Sequence, residues 1–317
     1  MKPLRAGVVG VGHLGQHHAR VYHELDATRL VGVFDTDRAR AEEIAGRFGV
    51  RAFDDPDALA REIDIASVAA PTVAHEQAAA PLIDRGVAVL VEKPIAPDGE
   101  TGRRMIARAR EAGVPLAVGH IERCQPAIRA LRERLTDPRY LEIHRLAPFK
   151  PRSLDVDVIL DLMIHDLDLC RFLIGDVSIR HLDASGTPAL TDRIDIASVR
   201  LRFDNGAAAN LTASRISLEA VRRVRVFEPG RYASCDTARG SLAVFRVAPA
   251  GDGPLPRVVM DQVDVPAEEP LRIELRDFAA AAARGESGPC SGEEGLRALE
   301  LALAIRDAIR AEQEEFR

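Results

Sequence analysis

The chain has 317 residues, 46% of them hydrophobic and 29% charged, with a net charge of −6 at neutral pH. That length supports two domains and a sizeable core, and the acidic balance argues against broad binding to nucleic acid or to an anionic membrane. No apolar stretch is long enough to span a bilayer, no signal region precedes the first strand pattern, and Cys124, Cys170, Cys235 and Cys290 form no CxxC pair, so the expectation is a cytoplasmic protein with reduced, structural thiols.

The first predicted strand, 6–9, runs into the loop Gly10-Val11-Gly12-His13-Leu14-Gly15. A helix pattern follows over 16–25, then a second strand over 30–34 that delivers Asp35 at its end. Strand, glycine loop, helix, strand and acid in this order describe a dinucleotide site. The glycines let the backbone turn tightly against a pyrophosphate, the helix N-terminus suits its charge, and Asp35 accepts from a ribose hydroxyl. A structural turn with no ligand is the other reading of a lone GxGxxG. Asp35 favours NAD, because a 2′-phosphate would meet its carboxylate; Arg38 and Arg40 leave NADP open.

Alternation then continues, with helices predicted over 37–48, 57–62, 73–85 and 99–112, and strands over 51–53, 65–70, 87–91 and 114–118. This is the pattern of a doubly wound parallel sheet, a Rossmann domain over residues 1–120. From about Tyr140 strands follow strands: 141–146, 194–203, 207–216, 221–227, 242–247 and 258–265, with Asp204-Asn205-Gly206 as a hairpin signal. One long helix, 157–173, interrupts them, and helices over 271–284 and 293–313 close the chain. Residues 121–317 are therefore expected to form an α+β domain with a large, open, mostly antiparallel sheet for substrate binding and oligomerisation. A partner subunit is the simplest cover for the sheet's second face, which predicts a homodimer or homotetramer.

Ligands of open α/β sheets bind beyond the carboxyl ends of the strands. Three such ends carry unusual residues: Pro71-Thr72 with His75, Glu92-Lys93-Pro94, and Gly119-His120. Lys93, directly after a buried strand, needs an anion, a hydroxyl or a cofactor, unless it is an ordinary surface lysine of a turn. On the long helix, Asp161 and His165 stand four apart on one face, with Asp168 close by, in an otherwise aliphatic segment. A histidine there suits proton transfer from a hydroxyl, or else is satisfied by a neighbouring acid within the core. Asp161, His165 and His120 also read as possible zinc ligands, but the dinucleotide site already supplies an electron acceptor, so no metal is expected. Lys150 and Arg152 suit a diphosphate, or form an ordinary solvated loop.

Gly7 to Gly15, Ala70-Pro71-Thr72 with His75, Glu92-Lys93-Pro94 and Asp161-x-x-x-His165 together resemble the Gfo/Idh/MocA oxidoreductases over nearly the whole chain. The resemblance implies a Rossmann domain followed by an open-sheet domain, with reversible hydride transfer at a sugar or polyol carbon. By the same resemblance Lys93 contacts substrate and nicotinamide, Asp161 binds substrate, and His165 is the general acid/base. His120 stands where relatives often carry an amide. The segments 118–123 and 155–166 look most like a branch that acts on nucleotide sugars, such as UDP-N-acetylglucosamine at its 3-hydroxyl. A free sugar or inositol remains open as substrate, and so does a dinucleotide-binding sensor without turnover.

Overall fold

A computed structural model describes residues 2–150, 156–248 and 257–315. Near-continuous apolar runs make the central strands. β1 (Leu4–Val9), β2 (Thr28–Phe34), β3 (Arg51–Ala52), β4 (Ile65–Val68), β5 (Ala88–Glu92) and β6 (Leu116–Gly119) pair in parallel in the order β3-β2-β1-β4-β5-β6. Every residue of β4 is buried, as expected of a strand covered on both faces. The connections are α1 (Gly15–Glu24), α2 (Arg38–Phe48), α3 (Pro56–Ala60), α4 (His75–Asp84) and α5 (Gly99–Ala112). Aspartates start three of them. Asp37, Asp55 and Asp98 accept the backbone N–H of Arg40, Ala58 and Thr101, each satisfying a donor that the helix itself leaves unpaired.

The remaining elements are α6 (Pro126–Arg134), β7 (Tyr140–Leu146), α7 (Ile164–Ile174), β8 (Ile179–Thr187), β9 (Ile196–Phe203), β10 (Ala208–Ser214), β11 (Val221–Glu228), β12 (Arg231–Asp236), β13 (Ser241–Ala248), β14 (Arg257–Val263), α8 (Pro270–Ala282) and α9 (Gly292–Glu315). Eight strands form one sheet in the order β14-β13-β12-β11-β7-β10-β9-β8, antiparallel except for β7 beside β10. Strict alternation along β7 and β9 buries one face of this sheet, while the other carries the intermediate and exposed positions. The predicted hairpin at 204–206 joins β9 to β10, with Gly206 at φ 83° and the Asn205 side chain accepting the N–H of Ala207.

The sequence pattern does not announce β8, β12 or α6. β12 is short and set off by Gly230 and Gly240, and β8 carries a serine and a glycine among exposed positions, so neither has a clear two-residue period.

The chain divides into two units, Met1–Cys124 with Glu269–Glu300, and Gln125–Glu268 with Leu301–Arg317. The segment from 269 falls with the first unit because Leu271, Leu275, Phe278 and Ala279 of α8 share a core with Val8, Val11, Ala19 and Tyr22. Each large apolar side chain buried this way contributes roughly 1.5–3 kcal/mol. Just beyond, the Cys290 carbonyl accepts the N–H of Val118, so the returning segment also covers the edge strand β6.

Candidate active site

In the first unit the site begins with the glycine loop between β1 and α1. Gly10 sits at φ 83°, and a Cβ there would come within 2.9 Å of the Ala69 backbone. A Cβ on Gly15 would lie 1.8 Å from the Gly10 carbonyl oxygen. Only glycine closes this turn. Above Gly12 the space is open, and Gly12, His13 and Leu14 are exposed. No side chain caps α1 and no acid stands in its first turn. An uncapped helix start facing open space without negative charge fits a dinucleotide pyrophosphate.

Asp35 locks this loop to the end of β2. Its Oδ2 accepts the N–H of Val11 at 2.7 Å and its Oδ1 that of Asp37 at 2.9 Å. Each oxygen keeps lone-pair capacity for a ribose hydroxyl. The two nearby guanidiniums are already engaged. Arg38 pairs with Glu42 and Asp54, and Arg40 donates to the Val11 carbonyl and to Glu43. A 2′-phosphate would meet the Asp35 carboxylate there, and the set fits NAD.

The ends of β4, β5 and β6 carry the other predicted residues of this unit. Pro71 and Thr72 lead into a 3-10 turn, Thr72–Ala74, ahead of α4. His75 is buried, with Nε2 2.9 Å from the Ala70 carbonyl and Nδ1 3.1 Å from that of Pro94. It ties the loop after β4 to the loop after β5, and burial holds its pKa below the ordinary histidine value. Lys93 is half-buried at the end of β5 and its bond to Pro94 is cis. His120 is buried beyond the end of β6. Lysine is scarce in this chain. Lys2, Lys93 and Lys150 are the only lysines among its 43 basic residues, and surface pairs such as Arg104–Glu76 and Arg5–Asp64 use arginine.

One histidine that its sequence position marks only as part of the first helix belongs here. His18 is buried, its Nε2 3.0 Å from Glu92 Oε1 and its Nδ1 3.0 Å from Ser67 Oγ. Sequence separations of 74 and 49 residues hide both contacts from any local pattern.

In the second unit, Asp161 and His165 lie where β7 meets α7. Asp157 caps this entry, accepting the N–H of Ile159 and Leu160. The stretch Ile159–Met163 is a π turn, in which the N–H of Ile164 reaches the Ile159 carbonyl. The continuous α-helix expected over 157–173 is therefore widened at Asp161, so the simple i, i+4 geometry does not apply there. Such turns recur at functional sites, where one extra residue re-aims side chains. Asp161 and His165 are both half-buried; Asp168 is buried. Next to His165, Asp166 is held by Arg145 of β7 through contacts of 2.7 to 3.0 Å, both side chains being buried. Breaking such a pair strands a buried charge, so it pins the first turn of α7 to the sheet.

A second buried pair steadies the entry from the other side. Arg215 donates to Asp195 at 2.8 Å and to the Val156 carbonyl at 2.7 Å. Burial opposes the charge of Asp195, but the backbone N–H groups of Ala189 and Leu190 and the Arg215 guanidinium hold its carboxyl well below the usual range. Lys150 is exposed just before this entry; Arg152 lies outside the described residues.

The comparisons with known proteins agree with this architecture. A family model described as the Gfo/Idh/MocA oxidoreductase family, NAD-binding Rossmann fold, matches residues 4–120, and the family's C-terminal domain model matches residues 128–227. The UDP-N-acetylglucosamine 3-dehydrogenase of Acidithiobacillus ferrooxidans is 44% identical over 97% of this chain and 98% of its own length. A solved structure of that enzyme superposes with a TM-score of 0.90 at 42% identity, covering 98% of this chain and 99% of the other. Inositol 2-dehydrogenase of Rhizobium meliloti is 30% identical over 98% of each chain. The chain belongs to the Gfo/Idh/MocA oxidoreductase family. It is an NAD-dependent dehydrogenase of that family.

Proposed function

We propose that this dehydrogenase oxidises a secondary hydroxyl of a nucleotide sugar, with UDP-N-acetylglucosamine at its 3-hydroxyl as the substrate. The full-length similarity to the Acidithiobacillus enzyme carries this reading. Gly10, Gly12, His13, Leu14 and Gly15 would hold the pyrophosphate of NAD, and Asp35 the ribose. Pro71, Thr72, His75 and Glu92 would shape the nicotinamide edge, with Lys93 beside it. NAD, when bound, supplies the hydride acceptor.

His165 takes the proton of the reacting hydroxyl as general base. Lys93 donates to a substrate oxygen and favours negative charge that develops there. Asp161 accepts from a substrate hydroxyl and orients the ring. His120 and Lys150 line the substrate, the cation of Lys150 serving its diphosphate; the same role expected of Arg152 falls on a residue outside the described ones. The presence of both Lys93 and His165 in one chain favours turnover over a sensor without chemistry.

The open face of the eight-stranded sheet serves as a subunit interface, giving a homodimer or homotetramer. Tyr140, Phe227, Tyr232, Phe245 and Met260 stand opposite one another on five strands of it, with stacked rings as close as 4.3 Å. Such a row has no place against water. Four buried, unbridged cysteines accord with a cytoplasmic setting. Among the described residues no helix is long and apolar enough to cross a membrane.

The test mixes the protein with NAD and UDP-N-acetylglucosamine and follows NADH absorbance beside free glucose, inositol and a UDP-uronic acid. Reduction with UDP-N-acetylglucosamine alone is the expected result. Reduction with inositol or free glucose instead, or silence with every sugar despite NAD binding, would overturn the substrate.

A further inference from the structure

Inside the first unit a chain of polar side chains runs from α1 through β4 to Lys93. Tyr22 Oη lies 3.0 Å from Ser67 Oγ, which lies 3.0 Å from His18 Nδ1. On the far side of the ring, His18 Nε2 is 3.0 Å from Glu92 Oε1, and Glu92 Oε2 accepts the backbone N–H of Lys93 at 3.2 Å. Tyr22, Ser67 and His18 are at most 1% exposed.

The carboxylate end sets one direction of the chain. A carboxylate only accepts, so His18 Nε2–H donates to Glu92. With Nδ1 as acceptor, the Ser67 hydroxyl donates to it and in turn accepts from Tyr22, and the carboxylate of Glu92 stands directly before Lys93 in the chain. Burial opposes that charge, but the contact with His18 and the nearby Lys93 hold the Glu92 carboxyl below the ordinary range. Burial also pushes the Tyr22 hydroxyl up, which keeps it a donor. The sheet makes room for this carboxylate. A Cβ at Gly119 would stand 3.2 Å from Glu92 Cδ.

We propose that His18 is a positioning residue of the reaction: backed by Ser67 and Tyr22, it keeps Glu92 fixed and anionic, and Glu92 sets the orientation and the field of Lys93. This rests on Lys93 acting on the substrate as described above. The charged and titratable groups facing the network are Glu92 at the end of β5 and Lys93 just after it, Tyr22 and His17 from α1, His75 at the start of α4, and Glu274 from α8.

Three lysines make the test direct, because protein labelled with carbon-13 at lysine Cε gives three side-chain signals. The Lys93 signal is the one lost in Lys93→Arg. In His18→Leu the Lys93 titration midpoint should fall by about 1 pH unit or more as the neighbouring negative charge is lost. Turnover should drop on the order of ten- to a hundredfold, with the KM for NAD within about twofold. His18→Gln, which keeps an N–H for Glu92, should recover most of both effects, and Glu92→Gln should reproduce the fall. An unchanged Lys93 midpoint in folded His18→Leu overturns the inference. Should that variant not fold, Ser67→Ala removes a single oxygen and decides the matter in its place: a lowered midpoint supports the network, an unchanged one overturns it. Lys93→Ala separates the two levels. Near wild-type turnover there would sink the role of Lys93, whereas an inactive Lys93→Ala with an unmoved midpoint in His18→Leu sinks the network alone.

Discussion

The two units hold their candidate site residues by different devices. In the first, the backbone does most of the holding, with the His18–Glu92 contact behind Lys93. Glycines at 10 and 15 close a turn that other residues would block, and strand ends deliver Asp35 and Lys93. In the second, buried charge does it. Arg145–Asp166 and Arg215–Asp195 fasten a widened helix entry on which Asp161 and His165 ride. A backbone device restricts residue type at each position and is stiff at all pH values. A charge device restricts only pairs, and it weakens when one partner is neutralised.

The largest effects should come from removing the chemistry on either side of this divide. His165→Ala and Lys93→Ala should each cut turnover by about 10²- to 10⁴-fold while NAD affinity, measured by calorimetry, stays near that of the parent. Near wild-type rates in either would remove that residue from the mechanism.

Next comes the charge device itself. Arg145→Ala leaves Asp166 buried and unpaired and should lower stability by about 3–5 kcal/mol in denaturant titrations. A loss below about 1 kcal/mol would mean that the pair does not hold α7. Asp35→Ala tests the backbone side more gently. Losing hydrogen bonds from a charged acceptor, about 1.5–3 kcal/mol, should weaken NAD roughly ten- to a hundredfold and narrow its advantage over NADP.

The smallest and most diagnostic effect is on pH dependence. The folded carboxyl of Asp195 is lowered, so its stabilising contribution is complete above the unfolded carboxylate range and is lost as pH falls through the lowered folded value. Acid titrations followed by circular dichroism should show this limb flattened in Asp195→Asn. An unchanged acid limb would place the acid sensitivity elsewhere.

The same contrast explains how much was legible in the sequence. The parallel sheet, the glycine loop, Asp35 and the Asn-Gly hairpin were readable because each needs a particular residue type at a particular spacing. Asp161 and His165 stand out as candidates because polar residues are conspicuous in an aliphatic helix, although the π turn at Asp161 leaves no such mark. Arg145 with Asp166, and His18 with Ser67 and Glu92, were not readable. Their partners are 21 to 74 residues apart, and nothing local distinguishes a buried histidine or arginine from an exposed one. The short strand β12 escaped for want of a pattern long enough to count.

The return of residues 269–300 to the first unit has a consequence for how the chain is made. Leu271, Leu275, Phe278 and Ala279 complete a core whose other buried members lie before residue 118, and closing that gap defers many contacts behind a long loop. Domains at the front of a chain usually fold first during synthesis. Here the nucleotide-binding unit stays open on one side until residues 269–300 have emerged, so strands made early wait on a helix made much later.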